Sequence, residues 1–492
     1  MNPLMTALQN RAATDIVIRH GKDELTAECL VAQTYELCLK LQNAGVERLG
    51  VLCRNSAAWI IADLACLTGR ICCFPMPAFF SDAQLRHSLV TAGINVILTD
   101  DPDRATEIAG GSVQDSDTES MPGLTLIRLV NERSAMLPAG TQKITFTSGS
   151  TGQPRGVCLS VENQLRVAQA LASSLPCKTP QHLCLLPLST LLENIGGVYY
   201  PLLASGSITT PPELAITTPN SVGPDIMRML QAINRHRPTS MIMLPQMLVG
   251  LLAAMQDGWP IPSELEFVAV GGAKVSAALL KHARAQGLPV YEGYGLSETG
   301  SVACLNYSGN DRIGTVGRPL PHINTSIQSG EIIITGNTFL GYAGEPASWG
   351  KDSIATGDLG EFDESGFLHL QGRRKNLLIS DMGRNISPEW VESEILQHPD
   401  ISQCVIFGDA RPFCSALIAA SKDTLDNTRI QEVLDTVNDN LPDYARVLRW
   451  HRLARPLSLD DGLFTQNGRP NREHIARHFA QTIDALYGET TS

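Results

Sequence analysis

The chain has 492 residues, more than one ordinary hydrophobic core accommodates, so about two or three domains are expected. With 43% hydrophobic and 18% charged residues it has ample core material, and its net charge of -12 argues against a general affinity for nucleic acid or anionic lipid. A phosphate ligand would have to be met by a local positive site.

The opening MNPLMTALQNRAATDIV shows no basic segment followed by an apolar core, so no secretory signal and a cytoplasmic location are expected. None of the 12 cysteines sits in a Cys-x-x-Cys pair, and they read as small buried hydrophobes rather than zinc or redox ligands. The most apolar stretches, 57–80 and 241–255, are interrupted by Asp63 and Arg70 or by Pro245 and Gln246, so no transmembrane segment is expected.

In chain order, residues 27–44 carry apolar positions at helical spacing and end at Gly45, and 47–52 reads as a strand. A helix over 55–67, a buried strand over 71–75, a helix over 82–92 and a strand over 95–99 follow. Strands alternating with helices imply parallel pairing and a layered α/β architecture. Residues 100–125, rich in Asp, Gly and Ser, read as a surface connection.

The densest stretch is 144–157, ITFTSGSTGQPRGV. Its β-branched and aromatic start favours a strand, which Ser148 to Gly156 cannot continue. The hydroxyls, small residues and Arg155 of that loop suit a polyphosphate, and they also suit a polar surface turn. The spacing is not that of a P-loop.

Further on, helix 160–174, a buried strand over 183–188 and an apolar helix after Gly196 and Gly197 through Leu203 are expected. Those two glycines could admit an alkyl chain or merely let helices pack. Helix 225–236, strand 240–244, helix 246–255 and strand 265–270 lead to Gly271-Gly272-Ala273. Paired glycines at the carboxyl end of a strand fit either a ligand edge or a turn packed on its own helix. In 290–300, VYEGYGLSETG, a strand runs into glycines and an exposed triplet Ser297-Glu298-Thr299, and a carboxylate beside hydroxyls suits Mg²⁺.

These stretches resemble the adenylate-forming superfamily: acyl-CoA synthetases, adenylation domains of peptide synthetases, and firefly luciferase. Thr147 to Gly156 is similar to the family's phosphate loop, with Arg155 replacing lysine. Tyr294 to Glu298 is similar to its Tyr-Gly-x-Thr-Glu segment, with Ser297 replacing threonine. Thr356-Gly357-Asp358 resembles the ribose-binding motif and Gly372 to Asn376 the interdomain hinge. The resemblance runs from about residue 25 to Arg472 and is nearest to the acyl-CoA synthetase and fatty-acid-CoA ligase branch.

It implies a large N-terminal domain of layered α/β subdomains, 1–374, and a small mobile C-terminal α+β domain, 375–492, beginning at the hinge Lys375. It implies ATP, Mg²⁺ and, for the second step, CoA. Thr147, Ser148, Gly149, Ser150, Thr151, Gly152 and Arg155 would meet the β- and γ-phosphates, Thr151 and Glu298 would hold Mg²⁺, and Ser297 and Thr299 would contact the α-phosphate or substrate carboxylate. Gly271, Gly272, Ala273, Glu292, Gly293, Tyr294 and Gly295 would form the adenine slot. Asp358 would accept the ribose hydroxyls, with Arg373 beside it.

The implied chemistry is attack of a carboxylate, expected to be a fatty or other apolar acid, on the α-phosphorus of ATP. Acyl-AMP and pyrophosphate result, and the acyl group then passes to a thiol. CoA is the expected acceptor; an acyl carrier protein or an amine is the alternative, as is a non-catalytic relative that binds ATP or acyl-AMP. Residues 380–388 resemble the loop that borders the pantetheine tunnel, where Gly383 would leave room for the thiol arm, and they also fit an ordinary turn capped by Pro388. Residues 465–472 resemble Thr-x-x-Gly-Lys-x-x-Arg, with Arg469 at the lysine position. Leu186 to Glu193 resembles the fatty-acyl branch, with Thr190 in place of its usual histidine. No aspartate stands out as a partner for an ammonium group.

Overall fold

The computed structural model describes residues 2–110, 113–121, 123–130, 135–148, 154–214, 225–458, 461–464 and 469–488. Two large sheets dominate. Among the described residues, one has eight strands, with Lys143–Ser148 between Pro154–Leu159 and Cys72–Pro75, followed by Arg48–Leu52 and Val96–Thr99. The other has nine, in which Gln181–Leu183, Ser240–Met243, Phe267–Val270 and Val290–Tyr294 run side by side in parallel. The main apolar core lies where Ala27–Asn43, Ala57–Gly69, Val161–Ser174 and Tyr200–Leu203 pack between these sheets.

Local chemistry explains the helix starts. Thr26, Ser56, Ser81 and Ser160 each accept a backbone N–H of the first turn, and Ser81 and Ser160 form reciprocal capping boxes with Gln84 and Asn163. A four-stranded antiparallel sheet, Asn324–Gln328, Glu331–Thr335, Ser353–Phe362 and Leu368–Arg373, closes the larger part of the chain. Beyond it, Ile401–Phe407, Cys414–Ala420 and Val447–Arg452 form a separate three-stranded sheet packed on Pro388–Leu396 and Asn427–Asn438.

Several expectations need correction. Residues 100–125 contain the helix Pro102–Ile108, capped by Asp101, and the strands Val113–Met121 and Leu124–Leu129, which extend the eight-stranded sheet in antiparallel fashion. The strand expected over 183–188 is confined to Gln181–Leu183, because the chain bends away after Cys184 N–H bonds the Thr209 carbonyl. Arg155 and Gly156 belong to the return strand Pro154–Leu159, not to a loop. The first residues, left unassigned from sequence, form the helix Pro3–Gln9 and the hairpin Ile16–His20 and Asp23–Thr26. Among the described residues, no helix is long and apolar enough to cross a membrane.

Gly196 and Gly197 lie inside the helical stretch Leu191–Leu203, in a π-helical turn over Asn194–Tyr199, rather than before it. Their space is taken by protein. A Cβ on Gly196 would stand 2.9 Å from Ile242 Cδ1, and one on Gly197 2.6 Å from Glu193 Oε1 and 2.8 Å from His182 Nε2. His182 Nε2 and Glu193 Oε1 are hydrogen bonded at 3.0 Å, with Cys184 close by, so these buried groups lock the turn to the sheet.

Under the same turn lies an ion pair. Lys143 Nζ sits 2.7 Å from Asp63 Oδ1, with both side chains 1% exposed. Lys143 also donates to Asn194 Oδ1 and to Tyr199 Oη, while Asn194 Nδ2 and Tyr199 Oη donate to Asp63 Oδ2 at 2.9 and 2.6 Å. Removing one partner leaves an uncompensated charge in the core. Asp63→Ala is expected to destabilise the fold by about 3–5 kcal/mol, and Asp63→Leu with Lys143→Met to recover at least about half of that. Chemical denaturation of the three proteins checks this; a double variant no more stable than Asp63→Ala refutes the charge argument.

Candidate functional site

The candidate site gathers at the carboxyl ends of Phe267–Val270 and Val290–Tyr294, where the parallel run of the nine-stranded sheet gives way to antiparallel pairing. Gly271 and Gly293 are there because the backbones approach closely: a Cβ on Gly271 would lie 3.0 Å from the Gly293 carbonyl oxygen. Gly295 is more constrained still, since its Cβ would stand 1.6 Å from the Ser301 carbonyl oxygen. Ala273 follows at the same edge with its side chain exposed to the cleft.

Asp358 lies directly opposite Arg373 in the register of Ser353–Phe362 with Leu368–Arg373. Arg373 Nε donates to Asp358 Oδ1 at 2.7 Å, and Tyr294 Oη donates to Asp358 Oδ2 at 2.8 Å. Burial, and then the Asp358 carboxylate, push the Tyr294 phenol well above its ordinary value, so it stays a neutral donor. This couples the end of one sheet to the edge of another.

Two further cations meet this group. Arg469 donates to the carbonyl of Gly272, bringing the C-terminal part of the chain onto the glycine edge. Lys375, in the single turn Arg374–Asn376, has its ammonium value lowered by partial burial and then by Arg373 and Arg469, which puts the three cations in one neighbourhood. Arg469 is lowered likewise, by desolvation of its guanidinium first and Arg373 second, although its surface as a whole is exposed. Arg472, three residues on, is half-buried, paired with Glu392 Oε2 at 2.5 Å, and anchors the segment to its own domain.

Glu298 lies in the turn Ser297–Thr299, half-buried beside Ser297. Its Oε1 accepts the hydroxyl of Tyr342 at 2.8 Å. Thr299 is not exposed as expected: it is fully buried, and its hydroxyl donates to the Leu296 carbonyl, so it holds the turn rather than facing a ligand. Arg155 also departs from expectation, being forked onto Glu345. Thr147 sits opposite Arg155 in the hairpin, and Ser148 ends that strand. Gly149, Ser150, Thr151 and Gly152, like Thr465 to Gly468, lie outside the described residues.

Glu292 is buried, with only 4% of its surface exposed, and its carbonyl accepts from both the backbone and the side-chain N–H of Asn306. Gly383, at a positive φ of 73°, lies in a surface turn closed by its N–H on the Ser380 carbonyl and tied to the neighbouring chain by Asp381 N–H on the Arg411 carbonyl. A Cβ there would meet nothing within 4 Å. Ser276 Oγ donates to Glu394 Oε2 at 2.9 Å across the junction of the two parts, beside a cleft lined by Leu252, His282 and Trp390 that shares no lining residue with the site. Tyr342, Glu345 and Lys143 were missed by sequence reasoning; only the adjacency of Lys143 to the phosphate-loop strand offered a signal.

Residues 7–342 match the family model described as AMP-binding enzyme, and 375–491 that of the AMP-binding enzyme C-terminal domain. The long-chain-fatty-acid–CoA ligase FadD15 of Mycobacterium bovis is 26% identical, over 90% of this chain and 88% of its own. The 2-succinylbenzoate–CoA ligase of Bacillus subtilis is 26% identical over 73% of this chain and 74% of its own. The fold matches that of the anthranilate CoA ligase AuaEII, solved with anthranoyl-AMP, at a TM-score of 0.81 with 18% identity and 98% of each chain covered.

Burial pushes the Glu292 carboxyl up to about 7, only partly offset by Lys274 and the Val275 N–H. A value raised in the fold means that folding favours the protonated form, so the contribution is fully present below the ordinary 4.5 and is lost as pH rises through about 7. Glu292→Gln should therefore escape a loss on the order of 2–3 kcal/mol that the native chain suffers between pH 5 and 8. Urea unfolding of both at the two pH values tests this, and parallel pH dependences would refute it.

Proposed function

Because the chain belongs to the AMP-binding enzyme family, we propose that it is an ATP-dependent acid–thiol ligase that forms acyl-AMP with release of pyrophosphate and transfers the acyl group to CoA. The observation that supports this best is the meeting of Tyr294, Asp358 and Arg373 with Arg469, which arrives from the C-terminal part onto Gly272. An aspartate fixed by a phenol and a guanidinium suits a diol such as ribose. Glycines at the neighbouring edge let a flat ring approach the backbone.

The substrate carboxylate would attack the α-phosphorus of ATP, the new C–O–P linkage forming as the bond to the pyrophosphate oxygen breaks. No protein nucleophile is required. The protein's contribution is orientation and opposition to charge on the phosphate oxygens, supplied here by Arg373, Arg469 and Lys375. The donor set fits Mg²⁺, because Glu298 offers an oxygen ligand whose other oxygen is already bonded to Tyr342, and Thr151 and phosphate oxygens would complete it. Bound there, the ion would neutralise phosphate charge.

The domain boundary falls at 374/375, with Lys375 as pivot, in this reading. The pose described, with Arg469 on the glycine edge and Gly383 in an open surface turn, suits the first half-reaction. Rotation about the hinge would bring Gly383 to the thiol. In this reading the substrate is a fatty or other apolar acid, as the name of the FadD15 relative suggests, and the setting is cytoplasmic. A carrier protein or an amine is the alternative acceptor.

Incubation with ATP, Mg²⁺ and a panel of carboxylic acids, with and without CoA, followed by mass spectrometry, tests the proposal. Pyrophosphate from no acid sinks it; acyl-AMP unaltered by CoA reassigns the acceptor. Glu298→Ala and Arg469→Ala should each slow pyrophosphate formation by about 10²-fold. Gly383→Leu, with the fold intact by circular dichroism, should spare that step and slow thioester formation more than about tenfold by filling the thiol path. Equal loss of both steps in Gly383→Leu refutes its assignment.

A further inference from the structure

Arg155 stands where the family carries lysine, and its guanidinium is committed to protein groups. Nε and Nη2 donate to the two carboxylate oxygens of Glu345 at 2.9 and 2.5 Å. The same planar group lies 3.6 Å above the ring centroid of Tyr342. Tyr342 Oη donates to Glu298 Oε1 at 2.8 Å. A chain of contacts thus runs from Glu345 through Arg155 and Tyr342 to the candidate metal carboxylate.

Tyr342 is held firmly. Gly341–Tyr342 pairs with Pro154–Leu159, placing Tyr342 opposite Val157 two residues from Arg155. Tyr342 N–H donates to Ser348 Oγ at 2.8 Å, Trp349 Nε1 donates to the Tyr342 carbonyl at 2.8 Å, and Phe339 packs edge-on at 4.8 Å. Gly341, at φ 135°, permits this, since its Cβ would lie 2.4 Å from Trp349 Cδ1. Phe339 N–H also donates to the backbone carbonyl of Glu298 at 2.8 Å, so backbone and side chain of the glutamate are fixed by one segment.

We propose that Arg155, Glu345 and Tyr342 form a positioning relay that orients Glu298, holding one carboxylate oxygen on the phenol and leaving the other to a divalent cation. This rests on the reading of Glu298 as the Mg²⁺ ligand. The phenol proton is directed at Glu298 Oε1, and the guanidinium stacked on the ring polarises it in that sense. Arginine can fork a carboxylate and stack on a ring at once. Lysine cannot, so the substitution at 155 serves the relay rather than a phosphate.

The test needs no acid substrate. Binding of ATP at limiting and saturating Mg²⁺, and of AMP without metal, is measured by titration calorimetry for the full chain and its variants. Tyr342→Phe should raise the Mg²⁺ concentration needed for half-maximal ATP binding about tenfold, the worth of one charge-assisted hydrogen bond, with AMP binding unchanged. Arg155→Lys should raise it about threefold in the native background and not at all beside Tyr342→Phe, as coupled residues require. A native Mg²⁺ dependence in Tyr342→Phe, equal weakening of ATP and AMP, or a full Arg155→Lys effect in both backgrounds would each overturn the relay. Glu298→Gln separates the two ideas: if it leaves the Mg²⁺ requirement unmoved, the metal assignment itself fails, and the relay with it.

Discussion

A lysine enclosed in a protein core has few tolerable arrangements, and the one adopted by Lys143 constrains everything around the candidate site. Its ammonium must be matched by Asp63, and the remaining oxygens and donors must be satisfied by Asn194 and Tyr199. Those four residues come from the strand that leads into the phosphate-loop motif, the helix Ala57–Gly69 and the π-turn Asn194–Tyr199. The strand therefore cannot slip in register without stranding a charge. Such a slip would also invert which of its side chains face the core. The hairpin that carries Thr147 and Arg155 inherits that fixed position.

From that anchored hairpin outward, one device recurs. Two carboxylates at the site each have one oxygen engaged by the phenol of a half-buried tyrosine: Tyr294 on Asp358 and Tyr342 on Glu298. A phenol raised by burial stays the donor in such a bond, and the bond limits the rotation of the carboxylate that accepts it. The chain is acidic overall, with a net charge of -12, yet Arg373, Lys375 and Arg469 are concentrated at one edge. An anionic ligand is thus met by a local field whose sign opposes that of the whole molecule.

Most of the parallel core was legible because many of its helices begin at a hydroxyl cap, as at Thr26, Ser56, Ser160 and Ser276, and its strands are short apolar runs. Residues 100–125 were misread because the edge strand Val113–Met121, paired in antiparallel fashion on Leu124–Leu129, is polar in composition, and an antiparallel edge does not need a continuous apolar run. The glycines at 196 and 197 were ambiguous for a different reason: sequence gives the missing side chain but not what fills its place, and only the folded chain puts Ile242 and His182 there. Glu298, Asp358, Arg373 and Arg469 were legible as motif residues. Tyr342 and Glu345 were not, since their contacts reach Glu298 and Arg155 over 44 and 190 positions.

The two arginines that replace lysine have come to opposite electrostatic states. Arg155 is saturated, its charge forked onto Glu345 and its plane resting on Tyr342, and its ordinary value is raised chiefly by that hydrogen-bonded carboxylate. Arg469 differs: desolvation first and the adjacent Arg373 second lower its value, and it donates to the Gly272 carbonyl at the glycine edge. A cation held among cations gains most from an incoming anion, because the ligand relieves repulsion as well as adding attraction. Of the two substituted positions, it is therefore Arg469, together with Lys375 and Arg373, whose electrostatics call for a negatively charged group on the glycine edge. The hairpin arginine is forked onto Glu345 at the far side of Tyr342.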